Sequence, residues 1–377
     1  MAVNKKVKRI FTNFFERPEI FAANMISNFQ ERRLLARFRN KSYVLSKEQR
    51  KAIDDFWKPY CKVSSAWAAY YCGCNGNFDP RYIPNDIYYS KIDQHFNSRR
   101  LGYGFNDKNY YSKIFDGIKQ PKTLLRKING LLFDAEYRQI TVETGRKILN
   151  EYSEFICKPS QESGSGRGIE FVKSEMVDKV ELILSSSSEY DDYIIQALLT
   201  QHAQLSRIHS SSINSVRICS LLMDDGVHIL SAVLRMGAGG SRVDNATSGA
   251  NAQYGGISVG INEDGTLKKY SYGYYDGRKS NKHPGGVVYD GYRVPSFEKA
   301  VNLVRNAHPR IGHFRLVSWD IAIDADGEAV LIEANMRKGG INFHQFNNGP
   351  LFENVMFEVG SGKSLTSTVL DEVYKDK

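Results

Sequence analysis

Residues 319–335, WDIAIDADGEAVLIEAN, narrow the possible folds most, because two apolar-rich segments, 319–324 and 328–334, flank a DADG turn and predict a β-hairpin. Strand alternation puts Glu333 and Asn335 on one side. A two-residue turn at Ala325 and Asp326 would pair Asp320 with Leu331 and set it diagonally across from Glu333 on that same face. Three oxygen-bearing side chains then converge. A hard cation such as Mg²⁺ takes such ligands and keeps positions for water and phosphate oxygens. The plainer alternative is a hairpin with solvated acids on its outer face. Against it, Glu333 and Asn335 end an otherwise apolar strand, where burial is costly for a polar group without a partner.

A second feature lies upstream in CKPSQESGSGRGIEF (157–171), where an apolar strand carries Lys158 into a Ser/Gly loop containing Gly164, Gly166 and Gly168. Alternating glycines let successive backbone N–H groups turn inward around an anion, and the strand lysine adds a point charge. A flexible hairpin tip is the alternative for the loop alone. GSGKS at 360–364 is not a P-loop, since that motif needs Gly at 357, which is Phe. The G-x-G-x-G at 164–168 has no βαβ unit with a downstream acid around it, so it is not a dinucleotide fingerprint.

SVRICSLLMDDGVHILSAVLRMG (215–237) predicts another hairpin, with Gly226 suited to a bulged turn. A three-residue loop pairs Met223 with Val227 and Arg217 with Val233, so Arg217 and Arg235 share a face, whereas a two-residue loop would split them. Two guanidiniums on one face call for an anion between them, and two exposed arginines on a solvated face are the alternative. The following GAGGSRVDNATSGANAQYGG (237–256) is the expected substrate loop, with Arg242, Asp244 and Asn245 as candidates for holding substrate. His283 in NKHPGG is a candidate for substrate contact and proton transfer, or else a surface residue.

In order, DKNYY (107–111), the 157–171 segment, YIIQALLTQH (193–202), INSVRICSLL (213–222), VLRMGAGGSRVDN (233–245) and WDIAIDADGEAVLIEAN resemble the ATP-grasp superfamily, closest to its sugar-transfer-associated group found with surface-polysaccharide biosynthesis. The resemblance covers roughly residues 40–345. It implies ATP and Mg²⁺ as cofactors. Lys108 and Lys158 would hold the nucleotide phosphates, with Ser163, Gly164, Ser165, Gly166, Arg167 and Gly168 closing over them. Gln196, Ala197, Leu198 and Leu199 would form the hinge whose backbone reads adenine. Asp320, Glu333 and Asn335 match the metal triad, and Arg217 and Arg235, with Lys158, would neutralise the transferred phosphoryl group. Many relatives carry acids around the hinge for the ribose hydroxyls, where this chain has Gln196, Gln201 and His202.

The resemblance implies an α+β ATP-grasp fold with two lobes, mainly antiparallel, enclosing a nucleotide cleft. Its expected parts are a basic amphipathic arm (1–40), a small leading domain (41–105), lobe 1 (106–200), lobe 2 (201–345) and a tail (346–377). Ser46 and Gln49 predict a capping box. Two helices are expected within 121–150, then strands at 154–160, 168–172, 178–184 and 192–197, and an amphipathic helix over 295–309.

Composition fits a globular enzyme, with 41% hydrophobic and 25% charged residues. No apolar run is long enough to span a bilayer, and the first residues lack the features of a secretory signal. Five scattered cysteines fit a reducing, cytoplasmic setting, and Cys72-Gly-Cys74 lacks the partners of a zinc site. Residues 1–60 hold 14 Lys or Arg against 6 Asp or Glu, nearly all of the +9 excess. Lys5, Lys6, Lys8 and Arg9 beside Ile10, Phe11, Phe14 and Phe15 suit a helix resting on anionic lipid at the inner membrane face, or else a solvated arm packed on the enzyme. Nucleic acid is not an expected partner, because no recognised binding motif accompanies the charge.

The implied activity is ATP-dependent ligation of a carboxylate to an amine through an acyl phosphate, for example a uronic acid of a surface polysaccharide and an amino acid. A kinase using the same cleft, a nucleotide-holding module without turnover, and a protein acting through its basic arm on membrane or nucleic acid are the alternatives.

Overall fold

The computed structural model describes residues 43–161, 168–185, 192–244, 256–273, 277–337, 339–353, 355–356 and 365–375. The expected basic arm, most of the Gly-rich loop and Asn245 lie outside these residues. Helix α1 (Lys47–Trp57) begins at the predicted capping box: Ser46 Oγ accepts from the Gln49 amide at 3.1 Å, and Gln49 Oε1 accepts from the Ser46 amide at 2.9 Å. Helix α2 (Ser65–Asn75) ends on Gly76, whose φ of +81° is the left-handed conformation glycine supplies without strain. Short helical turns continue to Ile114.

A five-stranded antiparallel sheet follows. Its elements are β1 (Thr123–Ile128), β2 (Leu131–Asp134), α3 (Val142–Leu149), β3 (Glu154–Pro159), β4 (Glu170–Lys173), α4 (Val177–Ser185) and β5 (Tyr193–Ala197), with strand order β2-β1-β5-β3-β4. Two expectations fail here. The first of the two helices expected in 121–150 is instead the β1–β2 hairpin, turned by Asn129 and Gly130 at φ +50° and +79°. Asn-Gly is the dipeptide that a two-residue hairpin turn favours, because both positions need positive φ. The strand expected at 178–184 is helix α4, whose buried Val180, Ile183 and Leu184 follow the three- and four-residue spacing of one helical face.

Beyond α5 (Ala203–Ile208), a seven-stranded sheet is built from β6 (Ser215–Met223), β7 (Gly226–Met236), β8 (Ile257–Ile261), β9 (Leu267–Gly273), β10 (Lys279–Ser280), β11 (Leu316–Ile323) and β12 (Ala329–Asn335), in the order β10-β9-β8-β7-β6-β11-β12. Helix α6 (Phe297–Ala307) covers one face with the predicted Phe297, Ala300, Val301, Val304 and Ala307, all buried against Trp319, Ile321 and Leu331. The opposite face carries α7 (Asn342–Asn348). Helix α8 (Leu365–Tyr374) packs Val369 and Leu370 with Trp57, Tyr88 and Leu316, so part of the expected tail belongs to a core shared with the leading helices. The α+β architecture with mainly antiparallel sheets is as expected.

Candidate active site

Both site hairpins reach their geometry by a route different from the expected one. In β11–β12 the turn has three residues, Ala325 to Gly327, with Gly327 at φ +75° and the Asp324 amide bonded to Glu328 O at 3.0 Å. Left regular, that turn would set Asp320 opposite Ile332. A bulge at Ile332 shifts the register so that Ile321 pairs with Leu331 while Asp320 pairs directly with Glu333. Ala329, Leu331 and Ala334 therefore enter the core, and Glu333 and Asn335 take the other face with Asp320.

In β6–β7 the turn has two residues, since Met223 pairs with Gly226. That turn alone would separate the arginines, but β7 bulges at Leu230, after which Arg217 pairs with Val233 and shares a face with Arg235. One row of residues then crosses the sheet: Glu333, Asp320, Arg217, Val233 and Gly260.

Side chains along this row are tightly networked. Arg217 forks onto Asp320, with Nε donating to Oδ1 at 2.5 Å and Nη2 to Oδ2. Arg235 Nη1 reaches Asp320 Oδ1 at 3.4 Å, and its Nη2 lies 3.7 Å from Asp244 Oδ1. Ser215 Oγ donates to Asp244, and Asn335 Nδ2 donates to Asp320 Oδ2 at 3.3 Å. Burial pushes the Asp320 carboxyl up, yet Arg217 and Arg235 outweigh it and hold Asp320 below its ordinary value.

The five-stranded sheet faces this row with a different set. Arg126 and Lys158 both pair with Ile194, one from each side, so the two cations share a face. Gln196 and Ser160 lie on the same face by alternation. Lys108 crosses to the other sheet, its Nζ 2.7 Å from Glu333 Oε1. Its turn is fixed to the end of β3: the Lys108 amide donates to Ser160 O at 2.9 Å, and Gln161 Nε2 donates to Asp107 Oδ2 at 3.0 Å.

Lys158 is buried and has neither hydrogen bond nor ion pair among the described residues. Its ammonium is pulled down to about 8 by burial and then by Lys108, against which Glu333 acts only in part. Ser160 Oγ and Gln196 Oε1 are also buried without partners among the described residues. Such a face loses hydration without regaining it inside the protein, which an anionic, hydrogen-bonding ligand would correct.

Lys108, Lys158, Gln196, Arg217, Arg235, Asp244, Asp320, Glu333 and Asn335 thus belong to one centre. Other candidates stand apart. Arg242 reaches Glu154 on β3 through Nη1 at 2.7 Å and Nη2 at 3.0 Å and lies 3.8 Å over the Phe171 ring, joining the two sheets at their edge. His202 caps α5, its Nδ1 accepting from the Gln204 amide at 3.2 Å. His283 is buried with Nε2 on Gly237 O at 2.8 Å and Nδ1 accepting from the Gly285 amide at 3.0 Å. With both nitrogens engaged, His283 anchors the loop after β7 and has no ring atom free to move a proton. Gly168 takes φ +72°, and a Cβ there would lie 2.8 Å from Pro159 Cγ.

Leu198 and Leu199 follow β5 directly. The chain then joins the tip of the β11–β12 hairpin, with the Ala325 amide on Thr200 O and the His202 amide on Ile323 O, each at 2.9 Å.

Sequence reasoning missed Arg126 and His344. Arg126 interrupts the apolar TLLRKI just as Glu333 interrupts its own strand, and that signal was available. It is buried, donating from Nη1 to Asn109 O at 2.7 Å and from Nη2 to Ser112 Oγ at 2.9 Å. His344 Nδ1 lies 2.8 Å from Ser231 Oγ, and burial followed by Arg217 lowers its pKa to about 3, so it is neutral beside the arginines.

Among the described residues no three His, Cys, Asp or Glu side chains cluster around a metal position. The convergent set is two carboxylates and an amide, which suits Mg²⁺ sharing its coordination with water and phosphate oxygens. The Lys158 ammonium, Ser160 Oγ and Gln196 Oε1, unpartnered among the described residues and opposite that set, fit a nucleoside triphosphate.

The family described as sugar-transfer associated ATP-grasp matches residues 88–360. Among solved structures, the chain is similar to D-alanyl-alanine synthetase A from Vibrio cholerae O1 biovar eltor, at 11% identity and TM-score 0.40 over 72% of this chain and 64% of that one. It is also similar to a D-Ala:D-Ser ligase from Enterococcus faecalis, at 15% identity and TM-score 0.38 over 71% of this chain and 60% of that one. An L-amino acid ligase from Bacillus licheniformis is similar at 14% identity and TM-score 0.38, over 71% of this chain and 47% of that one. The chain thus spans less than two thirds of each of these proteins. No curated protein matches it. Among the described residues no helix is long and apolar enough to cross a membrane.

Proposed function

The chain belongs to the sugar-transfer-associated ATP-grasp family, and from that premise we propose that it is a ligase, working with ATP and Mg²⁺, that joins a carboxylate on a glycan or glycan precursor to an amine. ATP supplies the phosphoryl group, and Mg²⁺ the charge that balances its oxygens. Asp320, Glu333 and Asn335 would hold the metal. Lys158 and Lys108 would hold the phosphates, with residues 163–168 over them and Gln196 to Leu199 against adenine. Gln196 Oε1, buried and unpartnered, is an acceptor suited to an exocyclic amine.

A substrate carboxylate oxygen would bond to the γ-phosphorus as ADP leaves, giving an acyl phosphate. The amine then forms the C–N bond, releasing phosphate and a proton. No protein nucleophile is needed, so the residues act by positioning and charge. Arg217 and Arg235 share a face beside Asp320 and would neutralise the transferred group. Asp244, held by Ser215 and Arg235, would border the substrate, and Arg242 would brace the loop that carries it.

One observation carries the reading: the buried, unpartnered Lys158 lies across from Glu333, Asp320 and Asn335. The sugar-transfer description of the family supports a glycan acid, such as a hexuronic acid, and the amine proposed is an amino acid. The test is incubation with ATP, Mg²⁺, uronic-acid glycans and amino acids, following ADP and the glycan mass. A gain of one amino acid less water is expected. A stable phosphorylated glycan formed without amine would make the protein a kinase and overturn the proposal.

A further inference from the structure

Away from the proposed phosphoryl-transfer centre, a cavity of about 360 Å³ opens where the chain after α2, strand β9 and the C-terminal end of α7 meet. Helix α7 separates the two places. At its start Phe343 lies under Arg217, the ring centroid 5.4 Å from the guanidinium carbon, and at its end Phe346, Asn347 and Asn348 line the cavity. Aromatic rings form much of the wall, with Phe78, Tyr82, Tyr270 and Tyr272 around the opening.

Two polar atoms here, the Lys268 ammonium and Asn347 Oδ1, lack a partner among the described residues. Lys268 lines the cavity half-buried, with no hydrogen bond or ion pair among the described residues. Burial alone lowers its ammonium pKa. Asn347 donates from Nδ2 to Ser258 Oγ and to Phe343 O, each at 2.8 Å. Because Phe343 O can only accept, the amide orientation is fixed, and Oδ1 is left buried with no donor among the described residues. The acid nearest the opening, Asp79, is already neutralised by Arg81 at 2.9 Å and 2.7 Å. The cavity therefore offers the half-buried Lys268 with the exposed Lys269 beside it in sequence, and aromatic faces, with its acid already paired.

We propose that this cavity is a docking subsite for a sugar ring bearing one anionic group, an acidic pyranose, whose acid meets Lys268 and whose apolar face lies on Tyr270 and Phe78. Size agrees, since pockets of a few hundred Å³ take single small ligands. The subsite deepens the glycan-ligase reading by naming what holds the glycan away from the reacting carboxylate, yet its binding needs no nucleotide. Binding and turnover are therefore separable.

The test is calorimetric titration of the full chain, without ATP, with methyl glucuronide, glucose 6-phosphate, methyl glucoside and acetate. Saturable binding of the glucuronide or the sugar phosphate is expected, and which of them binds identifies the acid as carboxylate or phosphate. Methyl glucoside and acetate should bind at least about tenfold more weakly. Lys268→Gln should lose about tenfold in affinity with an unchanged melting temperature, and Lys268→Arg should recover most of it. Asp320→Asn should bind the ring as the native protein does, so a failed ligase assay leaves this result readable. Equal binding by Lys268→Gln, equal binding of methyl glucoside, or no binding by any probe overturns the subsite.

Discussion

The two sheets present a paired and an unpaired set of polar groups to the cleft between them. On the seven-stranded sheet, Arg217, Arg235, Asp244 and Asp320 satisfy one another through hydrogen bonds and ion pairs. On the five-stranded sheet, the Lys158 ammonium, Ser160 Oγ and Gln196 Oε1 are buried and unsatisfied among the described residues. One face is preorganised before any ligand arrives. The other holds its polar groups at a cost that a ligand would offset, which is the usual price of a binding site in stability. Substitutions on the two faces should therefore affect stability in opposite directions while both reduce activity.

The largest effect is expected on the networked face. Asp320→Ala should cut ATP-dependent product formation by about a thousandfold. It should also lower the melting temperature, because Arg217 and Arg235 are left beside each other without their shared anion. An unchanged melting temperature would break the contrast. Arg235→Glu should reduce turnover by about a hundredfold, read as ADP release, with the fold retained because this arginine stands at the edge of the network.

On the unsatisfied face, Lys158→Met should weaken nucleotide binding by about tenfold or more and raise the melting temperature at neutral pH. The pH dependence has a definite sign. Lys158 titrates near 8 when folded against an ordinary 10.5, so between these values the unfolded chain binds more protons. Lys158 accordingly adds stability as pH rises through that window. Nucleotide binding, which favours the charged ammonium, should weaken above about pH 8 and do so less steeply in Lys158→Met. The smallest effect belongs to the edge that joins the sheets. Arg242→Ala removes a partly exposed pair with Glu154 and should cost under about 1 kcal/mol of stability, seen as a slight fall in melting temperature.

The same contrast shows what the sequence discloses. Glu333 and Asn335 stand out in the sequence because they are anomalous in an apolar strand, and the expected convergence with Asp320 on one face is what the structure has. The mechanism of convergence was not legible: expected turn lengths were wrong in both hairpins, and bulges at Ile332 and Leu230 restored the shared faces. A bulge depends on packing of both strands against neighbours and leaves no local sequence mark. Helix α4 was misread as a strand because a short run of Val, Leu and Ile satisfies both periods. The β1–β2 hairpin carried its signal openly in Asn129-Gly130. His283 lacked a distinguishing signal, since a histidine beside Pro and Gly looks alike whether it anchors a loop or moves a proton.

The claim that the two faces close on one nucleotide is tested most directly by crystals grown with a nonhydrolysable ATP analogue and Mn²⁺ in place of Mg²⁺. Anomalous scattering should place the metal on Asp320, Glu333 and Asn335, with the phosphates between it and Lys158. A nucleotide bound elsewhere, or a metal away from those three side chains, would contradict it.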